Sequence, residues 1–217
     1  MVQVTLDEKD YSCVEVIEKL SQQVTQERLK RVQRVIDHRN PNLVTVMENI
    51  YDRGNTSAVM RSAEAFGFHH FHQIIRGDEF KESKRVTQGA DKWLIHKHWD
   101  STETCIESLK SQGLKILVTH LDGGIPLEEV PIDGPVALCF GNERDGASAE
   151  LTQLADHCVY IPMDGFVQSF NISVAAALCF QTLSRRLQAL SLTGVSDEER
   201  QYLMALYLHR SCKNPAL

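Results

Sequence analysis

Val167-Gln168-Ser169-Phe170-Asn171-Ile172-Ser173-Val174-Ala175 is the stretch that decides how this chain is read. It follows a short β-branched run, Val159-Tyr160-Ile161-Pro162, and opens a long apolar helical pattern. Hydroxyls and a carboxamide at a strand-to-helix turn are poorly suited to a buried core. They are well suited to presenting side chains and the unpaired N–H groups of a helix's first turn to a ligand.

Working outward, the same alternation of strand and helix recurs. Leu43–Met47, Phe71–Ile75, Leu114–Val118, Val136–Phe140 and Val159–Ile161 read as strands, several apolar on both faces. Helical patterns fall at about 55–66, 101–112, 148–155 and 171–190. This order predicts an α/β domain with a mostly parallel sheet covered by helices. The ends differ. Residues 7–39 read as mostly helical and charged, and Ser196-Asp197-Glu198-Glu199 is a capping box that opens a helix carrying Leu203, Leu206 and Tyr207 on one side. That stripe predicts packing against the domain or a second subunit.

Composition excludes several classes. Hydrophobic content of 42% with 24% charged residues is that of an ordinary globular protein. No apolar run approaches the ~18 residues of a membrane span, and the first residues lack the layout of a secretion signal, so a cytoplasmic protein is expected. Six scattered cysteines without a Cys-x-x-Cys pair argue against disulfides and zinc. Cys139, Cys158 and Cys179 fall in apolar runs, as small core residues do. His69, His70 and His72 have no acidic or cysteine partner at ligand spacing, so a polar loop end is expected there rather than a metal site. A net charge of −6 argues against a generally sticky nucleic-acid binder and directs attention to local basic clusters. One such cluster lies in Arg28–Arg39, where Arg31, Arg34 and His38 project from a face other than the Leu29, Val32 and Ile36 stripe, with Lys30 at its edge. A solvated surface and a phosphate-binding surface both account for it.

Three turns carry candidate chemistry. In the first, Gly54 breaks the chain, Asn55 is a plausible N-cap, Val59, Ala63 and Phe66 form a buried stripe, and Gly67 ends the helix. Arg61 lies off that stripe. It either pairs with Glu64 or Glu143, or binds a phosphate or an oxyanion. In the second, the strand Val136–Phe140 runs into Gly141-Asn142-Glu143-Arg144-Asp145-Gly146, a polar turn at the carboxyl end of a strand, where α/β proteins place ligands. Neither a Walker A loop nor a G-x-G-x-x-G fingerprint is present. The third is Ile161-Pro162-Met163-Asp164-Gly165-Phe166 with the opening stretch. A further strand end, Val118-Thr119-His120, leads into Asp122-Gly123-Gly124 and could lie beside them.

Together these segments resemble the SpoU (TrmH) branch of the SPOUT RNA methyltransferases. The N-x-x-A-x-x-R-[ST]-A-x-x-F-G block matches Asn55–Gly67, strand-G-x-E-x-x-G matches Phe140–Gly146, and I-P-M-x-G-x-V-Q-S-x-N-x-S-V-A matches Ile161–Ala175. All three in this order and spacing are highly specific, and the resemblance spans about residues 25–190. Within the branch the chain is most similar to tRNA (guanosine-2′-O-)methyltransferases acting on guanosine 18 of the D-loop. The resemblance implies a SPOUT-type sheet (residues 40–192) with a C-terminal deep trefoil knot, flanked by helical extensions at 1–39, for RNA docking, and 193–217. It implies S-adenosyl-L-methionine as methyl donor, S-adenosyl-L-homocysteine as product, tRNA as substrate, and a homodimer.

By position, Thr119, Gly141, Ile161, Met163 and Phe170 are expected to contact the cofactor. Arg61, Asn55, Glu143, Ser169 and Asn171 are expected at the catalytic centre, with Arg61 stabilising an alkoxide and fixing a phosphate. Arg28, Lys30, Arg31, Arg34 and Arg39 are expected to bind RNA, and no metal is implied. Phe170 stands where leucine is commoner, and Asn142 and Asp145 are unusual in the second block. The same chemistry on ribosomal RNA or another tRNA position, or a non-catalytic RNA-binding protein on this fold, are the alternatives.

Overall fold

A computed structural model of the chain describes residues 2–50, 52–75, 89–120 and 123–217. It divides into two compact units, Met1–Asn40 with Gly194–Leu217, and Pro41–Thr193.

The larger unit is built on a seven-stranded sheet. Its strands are β3 (Leu43–Glu48), β4 (His70–Ile74), β5 (Ile95–Trp99), β6 (Lys115–Thr119), β7 (Ile125–Pro126), β8 (Val136–Phe140) and β9 (His157–Tyr160), in spatial order β5-β4-β3-β8-β6-β9-β7. Every neighbouring pair is parallel. The helices are α3 (Arg53–Ala65), α4 (Thr102–Ser111), α5 (Ala149–Leu154) and α6 (Ile172–Ala189), with one 3₁₀ turn at Asp91–Trp93. Alternation along the central strands feeds two cores. Leu43, Met47, Leu117, Val136, Leu138 and Phe140 point to the face covered by α3 and α6. Val44, Val46, Ile116, Val118, Ala137 and Cys139 point to the face covered by α4 and α5. This is why β3 and β8 are buried along their whole length and why their sequences are apolar but for Thr45 and Glu48. Fully burying each such side chain contributes about 1.5–3 kcal/mol. Burial also pushes the thiols up, Cys105 and Cys179 to about 12.

The β9 strand lies between β6 and β7, two strands consecutive in sequence. The chain therefore leaves β6, crosses the position that β9 will occupy, and forms β7 on the far side before β9 is made.

Several sequence expectations are corrected. Asn55 does not cap α3. Asp52 does, its carboxylate accepting from the Gly54 N–H at 2.6 Å, so Gly54 lies inside the helix rather than ahead of it. Gly67 does end the helix, with φ of 84° and its N–H donating to Glu64 O. His69, His70 and His72 are not a loop end: His70 and His72 lie in β4 and His69 is fully buried. His72 Nδ1 accepts from Trp99 Nε1 at 3.3 Å. Burial, aided by His70 and Lys97, lowers its pKa from an ordinary 6.5 to about 3. The strand β5 has no counterpart in the sequence reading, because Ile-His-Lys-His-Trp at a sheet edge carries no apolar run. Asp122 of the Asp122-Gly123-Gly124 turn lies outside the described residues.

The smaller unit joins the two chain ends. It begins not with helix but with an antiparallel hairpin, β1 (Gln3–Leu6) and β2 (Lys9–Ser12). Its turn residues Asp7 and Glu8 hold positive φ of 48° and 65°, a conformation that Asn-Gly pairs usually announce. Then come α1 (Cys13–Ser21), α2 (Gln26–Ile36) and, from the other end of the chain, α7 (Asp197–Ser211). The α7 helix packs on α1, α2 and β1. Ser196 caps it, accepting from Glu199 N–H at 3.1 Å, and Leu203, Leu206 and Tyr207 are buried.

A candidate ligand cavity at the carboxyl ends of the strands

The larger unit holds a cavity of about 520 Å³ where β6, β8 and β9 end, within the range of small-molecule sites. Its walls come from segments far apart in sequence: Thr119 and His120, Gly141 to Arg144, Tyr160, Ile161 and Met163, Gln168 to Ile172, and Asn55 from α3. Phe140 and Cys179 form part of the wall, and Phe180, beside Cys179, packs edge-on to Phe140 with ring centroids 6.2 Å apart. The high pKa of Cys179 makes its thiol a neutral wall rather than a nucleophile. Arg186 of α6 donates to the carbonyls of Leu127 (2.7 Å) and Val130, holding the segment that presents Leu127 to the cavity.

Each wall is tied down. Thr119 Oγ1 donates to Cys139 O at 3.2 Å, joining β6 to β8 at the rim. The turn after β8 closes on itself: Asn142 N–H donates to Gly146 O at 2.8 Å and Gly146 N–H to Asn142 O at 2.9 Å. Asn142 Oδ1 accepts from the Arg144 and Asp145 N–H groups, and its Nδ2 donates to Asn49 O at 2.6 Å. Such a turn needs Gly146 at a φ of 71° and leaves no room at Gly141, where a Cβ would come within 2.1 Å of Ala147 N.

A chain of side-chain hydrogen bonds joins the three sequence blocks. Glu143 Oε1 accepts from Asn55 Nδ2 at 3.0 Å, and Asn55 Oδ1 accepts from Asn171 Nδ2 at 3.2 Å. Asn171 Oδ1 in turn accepts from Ser173 N–H at 2.9 Å and Ser173 Oγ at 2.6 Å, capping α6. The direction of this chain is forced. A carboxylate at one end can only accept and a backbone N–H at the other can only donate, so both amides have one orientation. Asp52, by capping α3 itself, leaves the Asn55 side chain available for this bridge.

Nine of the ten expected catalytic and cofactor residues therefore line one cavity: Asn55, Thr119, Gly141, Glu143, Ile161, Met163, Ser169, Phe170 and Asn171. Arg61 is the exception. It is exposed and does not line the cavity of its own chain. Six residues beyond Asn55, it sits ~9 Å further along α3 and about 240° around it. In the smaller unit, Arg28, Lys30, Arg31 and Arg34 are exposed on α2. Arg39 is not: it is 2% exposed, with its guanidinium 5.4 Å from the Tyr207 ring centroid. The wall residues His120, Gln168, Asn142 and Arg144 were quoted in the motifs without a role. Leu127 had no sequence signal.

Beside the cavity, Phe166, Val167, Phe170, Val174 and Leu178 are exposed. Val174 and Leu178 stand one turn apart on α6.

Comparison with known proteins agrees with this arrangement. The model of the SpoU rRNA methylase family matches residues 42–181. A tRNA (guanosine(18)-2′-O)-methyltransferase of Borreliella burgdorferi is 35% identical over 197 residues, covering 90% of each chain. The enzyme of that name from Escherichia coli K12 is 33% identical over 162 residues, 74% of this chain and 71% of its own. Among solved structures, a TrmH/SpoU tRNA modifying enzyme of A. aeolicus superposes with a TM-score of 0.79 at 28% identity, over 87% of this chain and 98% of the other. With three sequence blocks brought onto one cavity and the family model spanning the sheet that carries it, this chain belongs to the SpoU rRNA methylase family.

Proposed function

We propose that the protein transfers a methyl group from S-adenosylmethionine to a ribose 2′-hydroxyl of tRNA, at guanosine 18 of the D-loop. The observation that carries this reading is the Glu143–Asn55–Asn171 chain, which draws three distant motifs onto one cavity. The names of the relatives that match over most of the chain support the tRNA target.

The cavity suits the cofactor. Its volume fits a nucleoside with an amino-acid arm, and Gly141, where a Cβ would strike Ala147 and Gly146, lets the turn that walls it close on itself. Thr119, Gly141, Ile161, Met163 and Phe170 would hold it. When bound, S-adenosylmethionine supplies a methyl group made electrophilic by its sulfonium. Asn55, Glu143 and Asn171, a hydrogen-bonded set that needs no rearrangement on binding, orient the ribose beside it together with Ser169. In the transfer the 2′-hydroxyl oxygen would take the methyl, its proton would pass to water, and the sulfur would keep the electron pair of the broken S–C bond as S-adenosylhomocysteine. Arg61, a guanidinium with a pKa above ~12, does not accept that proton. It stabilises the developing alkoxide and grips a neighbouring phosphate.

Because Arg61 lies outside its own chain's cavity, the site is completed by a second copy. The exposed apolar side chains of Phe166, Val167, Val174 and Leu178 border the cavity and support a homodimer through that face. The exposed cations Arg28, Lys30, Arg31 and Arg34 dock the RNA backbone, without Arg39. No helix among the described residues is long and apolar enough to cross a membrane, and the enzyme works in the cytoplasm on tRNA. The test is to incubate the protein with labelled S-adenosylmethionine and unmodified total tRNA and to map the product. A 2′-O-methyl group on guanosine 18 is expected. No label in tRNA, or label on a base or on a ribose other than that of guanosine 18, would overturn the assignment.

A further inference from the structure

Glu48 is the last residue of β3, a strand in the interior of the sheet, and it is 1% exposed. It does not line the cavity. Its carboxylate accepts three hydrogen bonds. Oε1 takes one from Thr102 Oγ1 at 2.7 Å and one from Ser148 Oγ at 2.8 Å, and Oε2 takes one from Ser148 N–H at 2.9 Å. Thr102 opens α4, and Ser148 caps α5 by accepting from Leu151 N–H at 3.0 Å.

Ser148 is also the first residue beyond the Gly141–Ala147 turn that forms one wall of the cavity. The entry to that turn is held by the next residue of the same strand end, since Asn142 Nδ2 donates to Asn49 O. Two consecutive residues, Glu48 and Asn49, thus grip the exit and the entry of one loop, and the Asn142–Gly146 pair closes it between them. Asn49 reaches this position with a φ of 49°.

We propose that Glu48 is a positioning residue for the cofactor loop. Through Ser148 it sets where Gly141 and Glu143 stand relative to Thr119 and Ile161, and so sets affinity for the methyl donor without touching it. This rests on the reading that the cavity takes S-adenosylmethionine. An acceptor is needed at this point. The Ser148 N–H cannot be turned away, and the Ser148 hydroxyl, already accepting from Leu151, has a proton to place. An apolar side chain leaves these donors buried and unpaired and frees the loop's exit. Glutamine is the best-tolerated neutral replacement: its oxygen keeps the Ser148 N–H, the one donor that cannot turn, while its NH₂ group faces two hydroxyls that rotate to accept and place their own protons elsewhere.

The experiment measures S-adenosylhomocysteine affinity by calorimetry on the full chain, with melting temperature and the split of KM and kcat alongside. Glu48→Ala is expected to weaken binding ~10-fold or more and to raise KM more than it lowers kcat. Glu48→Gln should stay within about threefold of wild type. Leu109→Ala, a core truncation two turns along α4 from Thr102, should lower the melting temperature yet leave affinity within about twofold. If Glu48→Ala does not fold, Glu48→Asp, too short to reach both helices, should bind ~3- to 10-fold more weakly. Affinity near wild type in Glu48→Ala or Glu48→Asp would overturn the proposal, as would an equal loss in Leu109→Ala. A wild-type protein that does not bind S-adenosylhomocysteine would instead overturn the assignment of the cavity, and this inference with it.

Discussion

Gly141→Ala tests the architecture of the cavity at its tightest point. A Cβ there would meet Ala147 N at 2.1 Å, Ala147 Cα at 2.3 Å and Gly146 C at 2.3 Å. Ordinary contact begins near 3.4 Å, so the overlap is about 1.3 Å, and all three atoms are backbone. No side chain can swing aside to relieve it. The turn must open, and opening separates Asn142 from Gly146 and strains the Asn142–Asn49 bond. Two or three hydrogen bonds at about 0.5–1.5 kcal/mol each, with overpacking of ~1–3 kcal/mol, give a destabilisation of roughly 2–7.5 kcal/mol. A displacement of ~1 Å in a binding wall costs up to ~10²-fold in function. Calorimetric titration with S-adenosylhomocysteine should therefore show binding weakened by ~10- to 100-fold, and a melting curve should show a drop of several degrees. The control is Gly165→Ala, where the new methyl meets only Val167 Cγ2, at 4.0 Å. That variant should bind and melt like the wild type. Binding within about threefold of wild type in Gly141→Ala, with a melting shift under ~1 °C, would show that the turn is not closed as described.

The remaining expectations are more direct. Arg61→Lys should lower kcat by ~10²-fold or more, because the planar fork is lost, while leaving S-adenosylhomocysteine affinity unchanged, since Arg61 is not in the cavity wall. Near-normal turnover in single-cycle assays would remove Arg61 from the mechanism. Reversing Arg31 and Arg34 to Glu should weaken tRNA binding and flatten the slope of log K against log salt, by about 0.7–0.9 for each phosphate no longer neutralised; an unchanged slope assigns docking to another surface. His72, with a folded pKa of about 3 against an ordinary 6.5, stays neutral in the native state while the unfolded chain takes up a proton. Its contribution is complete above about 6.5 and declines as pH falls toward 3, by up to ~1.4 kcal/mol per pH unit. Denaturant titrations across that range should show the decline, and His72→Asn should flatten it.

Much of this molecule can be read from local pattern. The apolar runs of Leu43–Met47, broken only by Thr45, and Val136–Phe140 announced strands covered on both faces, and the three motif blocks announced the cavity wall. Other features depend on partners too distant for any local pattern. Ile95–Trp99 is a strand because β4 lies beside it, not because of its own composition. Asn55 reads as a cap because Gly54 just before it reads as a break in the chain, yet Asp52 caps the helix by reaching the Gly54 N–H. Arg39 belongs by charge to the basic cluster and by geometry to Tyr207, 168 positions away. Glu48 carries no motif at all, and its partners stand 54 and 100 positions on. The place of Arg61, outside the wall that Asn55 of the same helix helps to form, is likewise not written in any local pattern.

The insertion of β9 between β6 and β7 has a consequence for how the protein comes into being. During synthesis, the strands through β8 can pair as they emerge, but β6 and β7 must wait with a gap between them. That gap closes only when residues 157–160 arrive, and the α6 helix that completes the cavity follows later still. Competence to hold a ligand is thus the last property the domain acquires. A nascent chain halted before α6 would have most of its sheet and no binding site, and refolding should recover helical signal well before it recovers affinity.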